Sequence, residues 1–390
     1  MNILMYSHDT YGLGHLRRTM ALARSMLGTG RNIVILTGSP IVGRFDFPSG
    51  IDFVRMPGMM KHDDDVYLPS AIKVAPEMAL AMRQSIILAT AKAFRPEVIL
   101  VDKAPLGLKR EILPTLRWLH DKFPGSRVIL GLRDIMDSAE STIKEWRDKN
   151  IYRVLDELYS EIWVYGDQHL YDPVREYAIP PQIAAKTHFA GYIPRKMVLP
   201  EKRPSLRRTL HINPGEKLVV VTAGGGGDGY RVIDTYLTML EESVVDFTSM
   251  IITGPLLGED LYDRLAERAR RLKVRICKFH RKIEKVISAA DCVVAMGGYN
   301  TMCEIVSARR PSLILPRSTP RQEQAIRARI FAECGLLEYV PWEEITAERI
   351  RAGIEHLLDQ STVYQQRLQT FPMTAFEVIA GRLASFGGMS

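Results

Sequence analysis

The chain has 390 residues, 46% of them hydrophobic and 25% charged, which describes a water-soluble globular protein too long for one ordinary core. Its charge of +7, from 52 Lys and Arg against 45 Asp and Glu, suits an anionic ligand or an acidic surface. No basic stripe interleaved with aromatics is present, so nucleic acid is not expected as a partner. In chain order, short apolar runs alternate with segments of helical period. The first half predicts strands at 3–6, 33–36, 53–55, 98–101, 128–132 and 162–165, with helices at 16–27, 71–94, 109–122 and 141–150. The second half predicts strands at 218–223, 249–253, 274–278, 292–295 and 312–315, with helices at 231–242, 262–271, 283–289, 301–308 and 324–332.

Such alternation predicts an α/β protein with two doubly wound parallel sheets. Pro194 to Pro204 holds three prolines and four basic residues and reads as a linker. The expected domains are therefore 1–200 and 201–361, with 362–390 as one helix that crosses back to the first. Two such sheets are expected to face each other across a cleft, with ligands at the carboxyl ends of their strands. The amino end lacks a basic region and a long apolar core like those of a signal peptide, and no uncharged stretch reaches the ~18 residues that span a bilayer. A cytoplasmic protein is expected, with peripheral contact at the inner membrane face open to the apolar segment 71–94. Packing inside the first domain explains that segment as well. The four cysteines, Cys277, Cys292, Cys303 and Cys334, form no Cys-x-x-Cys pair and read as reduced thiols.

Three glycine-rich turns carry the chemistry. In the first, Ser7-His8-Asp9-Thr10-Tyr11-Gly12-Leu13-Gly14-His15-Leu16-Arg17-Arg18, Gly12 and Gly14 join a strand to a helix. His15 near the helix N-terminus is expected to be held neutral, as a general base must be. A capping or core histidine is the alternative. Asp9 is the candidate to orient the histidine, although an Asx turn explains it equally. His8 is a further polar candidate, and Arg17 and Arg18 read as a solvated helix face, with contact to acceptor anions as the alternative. Arg17 occupies the place of the third glycine in a dinucleotide fingerprint, which excludes that motif. The pair Arg133-Asp134 reads either as an ion pair or as part of an acceptor site.

The second turn, Gly224-Gly225-Gly226-Gly227-Asp228, offers backbone N–H groups to an anion, with Asp228 turned away or capping the next helix. In the third, Gly297 and Gly298 follow a strand and open a helix, where Tyr299, Asn300 and Thr301 form the first turn. Glu304 lies one turn on, placed to accept hydrogen bonds from a vicinal diol such as a ribose. Glu323 and Gln324 begin the helix after the next strand, placed for hexose hydroxyls. Phosphate, ribose and hexose together indicate a nucleotide sugar. Asp63-Asp64-Asp65 suggests a metal site but reads better as a solvated acidic turn.

The series Gly297-Gly298-x-Asn300-Thr301-x-x-Glu304, then Pro311, Pro316 and Glu323-Gln324, resembles the donor signature of GT-B glycosyltransferases. The group containing the peptidoglycan UDP-N-acetylglucosamine transferase MurG is the nearest likeness, and Gly12-x-Gly14-His15-x-x-Arg18 is similar to that group's N-terminal motif. The resemblance implies an acceptor-binding first domain and a second domain that binds a nucleotide-diphosphate sugar, most often UDP-linked. It assigns phosphates to Gly224–Gly227, Asn300 and Thr301, ribose to Glu304 and sugar to Glu323 and Gln324. It assigns the nucleobase to Phe279, His280 and Arg281, though Arg281 serves equally as a surface cation. It implies an inverting, metal-independent hexosyl transfer without a cofactor, in cell-envelope, polysaccharide or glycoconjugate synthesis. Hydrolysis of the nucleotide sugar, or non-catalytic binding beside another transferase, are the alternatives. The acceptor, whether saccharide, lipid-linked or small molecule, is left open because Leu16-Arg17-Arg18 lacks the apolar run expected of a lipid-diphosphate site.

Overall fold

The computed structural model describes residues 1–8, 14–63 and 66–387. The chain forms two compact units. The first comprises Met1–Asp134, Ala139–Ile193 and Thr374–Ser390, and the second Ile135–Ser138 and Pro194–Met373.

In the first unit the strands are β1 Asn2–Tyr6, β2 Asn32–Thr37, β3 Ile51–Arg55, β4 Met59–Asp63, β5 Val66–Pro69, β6 Val98–Asp102, β7 Arg127–Arg133, β8 Glu161–Tyr165 and β9 Thr187–Phe189. Seven of them build a parallel sheet in the order β3-β2-β1-β6-β7-β8-β9, while β4 and β5 pair as a separate antiparallel hairpin. β6 and β8 are buried along their whole length, and helices join the parallel strands. That is why these strands read as unbroken apolar runs rather than alternating ones. The strand order reverses between β1 and β6, where Tyr6 lies opposite Val101. A crevice opens at the carboxyl ends of strands where the order reverses. His8 and Asp102 are therefore neighbours at this point.

The second unit repeats the design with β10 Leu218–Thr222, β11 Thr248–Ile252, β12 Arg275–Cys277, β13 Cys292–Ala295, β14 Ser312–Ile314 and β15 Glu338–Tyr339. These are parallel in the order β12-β11-β10-β13-β14-β15. Its order reverses between β10 and β13, where Thr222 lies opposite Ala295. The four-glycine turn and the Gly297-Gly298 turn thus leave the sheet side by side.

Several elements depart from expectation for local reasons. The helix expected at 71–94 begins at Pro76, because proline at the first position holds Ala75 extended (φ −58°, ψ 142°). The helix expected at 109–122 is broken by left-handed Lys109 and Arg110 and resumes at Leu113. The single C-terminal helix is two, Ser361–Gln369 and Ala375–Gly387, separated around Pro372, which has no N–H to continue the first. The hairpin of β4 and β5 and the short β9 were not anticipated. Asp64 and Asp65 of the acidic turn lie outside the described residues.

The segment expected as a linker is fastened to the second unit. There Arg195 N–H donates to Ser307 Oγ (2.9 Å) and Val198 N–H to Ser288 Oγ (3.2 Å). In the first unit, Arg382 of the last helix pairs with Glu161 at the start of β8, and Trp163 Nε1–H donates to the same carboxylate (2.7 Å).

Candidate active site

In the first unit the helix Gly14–Met26 brings His15 to the crevice beside the end of β6. His15 Nδ1 lies 2.5 Å from Asp102 Oδ2. Arg18, one turn along, grips the same carboxylate from the other side. Its Nε donates to Oδ1 (2.9 Å), and its Nη2 donates to Oδ1 (2.7 Å) and Oδ2 (2.8 Å). At 2.5 Å from a carboxylate oxygen Nδ1 must be the donor, so the 3.1 Å approach of Arg18 Nη2 to it is not a competing donation. The carboxylate therefore fixes the proton on Nδ1, which leaves the Nε2 lone pair as the basic position.

Arg18 and Asp102 are 2% and 5% exposed, so the solvated face expected of Arg18 is corrected: it is a buried structural cation. Burial is the first reason that the His15 pKa falls, to about 4, with Asp102 opposing and Arg18 reinforcing the fall. The helix N-terminus is thus not the main cause of the lowering. Burial alone would raise Asp102, but Arg18 and His15 outweigh it and hold the carboxyl well below its usual range. His15 is neutral and Asp102 ionised at neutral pH.

A second buried ion pair supports this floor. Arg83 Nε and Nη2 donate to Glu111 Oε2 and Oε1, both at 2.6 Å, and the pair is closed to solvent. Tyr6 O–H donates to Glu111 Oε1 (2.6 Å) and accepts from Leu108 N–H (3.1 Å). His8 stands with Nδ1 3.4 Å from the Tyr6 oxygen and its ring 5.7 Å from that of His15, edge to face. Burial, then His15, lowers the His8 pKa well below normal. Asp9 and Gly12 lie outside the described residues. Asp102 and Glu111 were not singled out from the sequence; Asp102, an acid closing the apolar run Val98–Val101, was the one available signal. Asp134, expected with Arg133 in an ion pair or acceptor site, is fully buried and accepts from Tyr192 O–H (3.0 Å).

In the second unit the site is mostly backbone. Gly224 and Gly226 have φ of +63° and +93°, and a Cβ on Gly226 would stand 2.5 Å from Thr253 O. Gly224 N–H donates to Thr222 Oγ1 (3.3 Å) and Gly226 N–H to Ala223 O (3.2 Å). The turn's own bonds thus use two of its amides, and among the described residues nothing accepts from the amides of Gly225 and Gly227. Gly297 has φ +79°, and a Cβ there would meet Ile314 Cγ2 at 2.8 Å. Buried Arg327 holds this turn by donating from Nη1 to Gly297 O (3.1 Å). Gly298 precedes the helix Tyr299–Ala308 and supplies no side-chain cap. The helix N-terminus therefore keeps its attraction for an anion. Thr301 Oγ1 comes within 3.7 Å of where a Gly224 Cβ would be, so the two glycine turns are adjacent.

Asn300 Oδ1 accepts from Arg195 Nη2 (2.6 Å). Tyr299 is 2% exposed beneath the Arg327 guanidinium, and Glu304 is 3% exposed, a buried carboxylate rather than a surface one. Arg317, overlooked in the sequence, binds the parts together. Its Nε pairs with Asp228 (3.0 Å) and its Nη2 donates to Glu323 Oε1 (2.9 Å). With its amide oriented to satisfy both neighbours, Gln324 donates to Met296 O (2.5 Å) and accepts from Arg317 Nε (3.2 Å). Asp228 thus does not cap the next helix, whose cap position is Gly229. Among the described residues nothing donates to Glu323 Oε2, which is buried. Phe279 (49% exposed), His280 and Arg281 follow β12 on a rim, where Lys282 N–H donates to His280 Nδ1 (3.2 Å). Among the described residues no group of three or more His, Cys, Asp and Glu is placed to hold a metal ion.

Residues 218–383 match the glycosyltransferase family 28 C-terminal domain. Two curated relatives are UDP-N-acetylglucosamine--N-acetylmuramyl-(pentapeptide) pyrophosphoryl-undecaprenol N-acetylglucosamine transferases. That of Geobacillus kaustophilus is 24% identical over 163 residues, 40% of this chain and 43% of the relative. That of Caldanaerobacter subterraneus is 24% identical over 190 residues, 47% and 51% of the two chains. The chain spans about half the length of the curated relatives it matches. Among solved structures, Acinetobacter baumannii MurG superposes with a TM-score of 0.63 at 11% identity, covering 98% of this chain and 99% of that one. A Polygonum tinctorium UDP-glucosyltransferase gives 0.66 at 14% identity, covering 100% and 99%. The GT-B fold and the resemblance to the MurG group are borne out.

Proposed function

We propose that this chain, a GT-B-fold protein whose C-terminal half carries a glycosyltransferase family 28 domain, transfers a hexose from a nucleotide-diphosphate sugar to an acceptor hydroxyl. The observation that carries the reading is His15, neutral and oriented by Asp102 with Nε2 left basic. In the proposed step the acceptor O–H gives its proton to Nε2 while its oxygen bonds to the anomeric carbon. The bond from that carbon to the diphosphate oxygen breaks, and the nucleoside diphosphate leaves with the electron pair. This single displacement inverts the anomeric centre. The leaving charge is met by the amides of Gly225 and Gly227 and by the N-terminus of the helix Tyr299–Ala308, fixed dipoles that need no reorganisation and no metal.

The curated relatives named for UDP-N-acetylglucosamine make a UDP-linked donor the first choice, with Glu304 on the ribose and Glu323 and Gln324 on the sugar. Phe279 to Arg281 border the base. A calorimetric panel of nucleotide sugars, followed by NMR of the product, tests this. A product of the opposite anomeric configuration is expected; retained configuration sinks the displacement. Sugar release to water at an undiminished rate without acceptor sinks transfer.

We infer a peripheral place at a membrane. Among the described residues no helix is long and apolar enough to cross one. The hairpin of β4 and β5 and the following helix expose Met60, Val66, Leu68, Ile72, Met78 and Met82, each at least 39% open to solvent. Lys73 and Lys109 lie in the same stretch and in the loop packed on Tyr67. Apolar side chains fringed by lysines suit an anionic bilayer surface. Flotation with anionic vesicles is expected, and a Met78→Ser, Met82→Ser double variant should lose it; equal flotation of both rejects this surface.

A further inference from the structure

The amino edge of the second sheet, at the far end of its strands from the glycine turns, gathers three guanidinium groups around one carboxylate. Arg203 and Arg207, four apart on the helix Arg203–Thr209, share a face and both reach Asp291. Arg203 Nη2 donates to Oδ1 (2.6 Å) and Arg207 Nη1 to Oδ2 (2.9 Å). Oδ2 also accepts Leu218 N–H (2.8 Å). The same two arginines satisfy carbonyls at the end of the helix Ile283–Ala289. Arg203 Nη2 donates to Ala290 O (2.9 Å), and Arg207 Nη1 donates to Ala289 O (2.8 Å). Asp291 thus already accepts three N–H groups before the third guanidinium, Arg310, is considered.

Arg310 is half-buried just before Pro311 and β14. No described residue accepts a hydrogen bond from its side chain, and its Nε is both shut from solvent and unpartnered. Arg203 Nε is in the same condition. Burial, then the charge of Arg203, pulls the Arg310 pKa down to about 10. Three cations against one carboxylate leave a net +2 in a partly desolvated setting, with exposed Arg309 beside it. Of the fully buried guanidinium groups, Arg327 donates to backbone carbonyls, whereas Arg18 and Arg83 each have a carboxylate in bidentate contact. Arg310 lacks one. With Nε shut away, the two Nη groups of Arg310 reach solvent and no described residue accepts from them; this planar pair of donors matches a phosphate-type oxyanion, whose paired oxygens take two N–H groups at once.

We propose that Arg310, flanked by Arg203, is an anion site for a phosphate group, separate from the donor-binding turns. The four-residue β13, about 13 Å long, separates Asp291 from the Gly297 turn. The source is either a free phosphate or the headgroup of an acidic lipid. The test uses the full chain with saturating UDP present and follows phenylglyoxal modification of Arg310 by peptide mass spectrometry, with Arg309 as exposed reference. Inorganic phosphate at about four times its Kd should slow modification about fivefold relative to chloride at equal ionic strength. Protection by phosphatidylglycerol vesicles, and not by phosphate or phosphatidylcholine vesicles, supports the lipid source instead. An Arg310→Gln variant should lose phosphate binding at this edge as measured by dialysis, and Arg310→Lys should keep part of it. Unprotected Arg310 in every arm, or an Arg310 that never reacts, overturns the proposal. Because the readout is at Arg310 itself, failure of the donor assignment would leave this result unchanged.

Discussion

The two units share a sheet plan and a reversal point, yet they prepare it in opposite ways. The first fills its crevice with buried charge, Arg18 on Asp102 and Arg83 on Glu111, around two neutral imidazoles. The second keeps side chains back and lines its crevice with glycine backbone and an uncapped helix start. The difference follows from the chemistry each is proposed to serve. Moving a proton requires an imidazole whose tautomer and pKa are set by its neighbours. Holding a diphosphate requires amides at close range, where a Cβ would stand in the way.

Three changes would break or sharpen this contrast. Asp102→Asn keeps the shape but removes the charge that fixes the Nδ1 proton. Transfer should fall about 10²- to 10⁴-fold in kcat while donor binding by calorimetry is kept; near-normal kcat would show that His15 is not the base. Acid provides the second. The folded His15 pKa of about 4 lies below its ordinary 6.5, so the unfolded chain takes up the proton first. Stability contributed by neutral His15 is full above 6.5 and drains as pH falls toward 4, by about 3 kcal/mol over the window. His8 acts in the same direction. Denaturant melts of wild type and His15→Gln should diverge in slope across that window, and parallel curves would contradict the buried neutral histidine. Asp102, held low, adds a further loss only below its own ordinary pKa.

The smallest effect is expected in the second unit. Gly226→Ala forces a Cβ to 2.5 Å from Thr253 O at φ +93°, which should cost about 1–3 kcal/mol of stability and weaken nucleotide binding. Unaltered nucleotide affinity would remove the four-glycine turn from the site.

Much of this was legible in the chain. Apolar runs marked the long parallel strands because burial on both faces leaves no polar alternation to confuse the reading, and glycine-rich turns marked their carboxyl ends. His15, Glu304 and Glu323 stood at spacings that a helix translates directly into position. What could not be read were partners distant in sequence. Asp102 meets His15 across 87 residues, and Glu111 meets Tyr6 across 105. The solvated-face reading of Arg18 failed because local spacing says nothing about what packs above a helix. The Arg317 links to Asp228 and Glu323 depend on the same kind of juxtaposition.

The sequence by itself determined the two parallel sheets, the three turns and the residue types in them, since these follow from local periodicity and backbone freedom. Tertiary structure alone decided which carboxylate meets which cation, which amides of the four-glycine turn its own bonds consume, and that no described residue accepts a hydrogen bond from the Arg310 side chain. Pairing between charges depends on the strand order that makes residues neighbours, and burial then sets how strongly each pair acts.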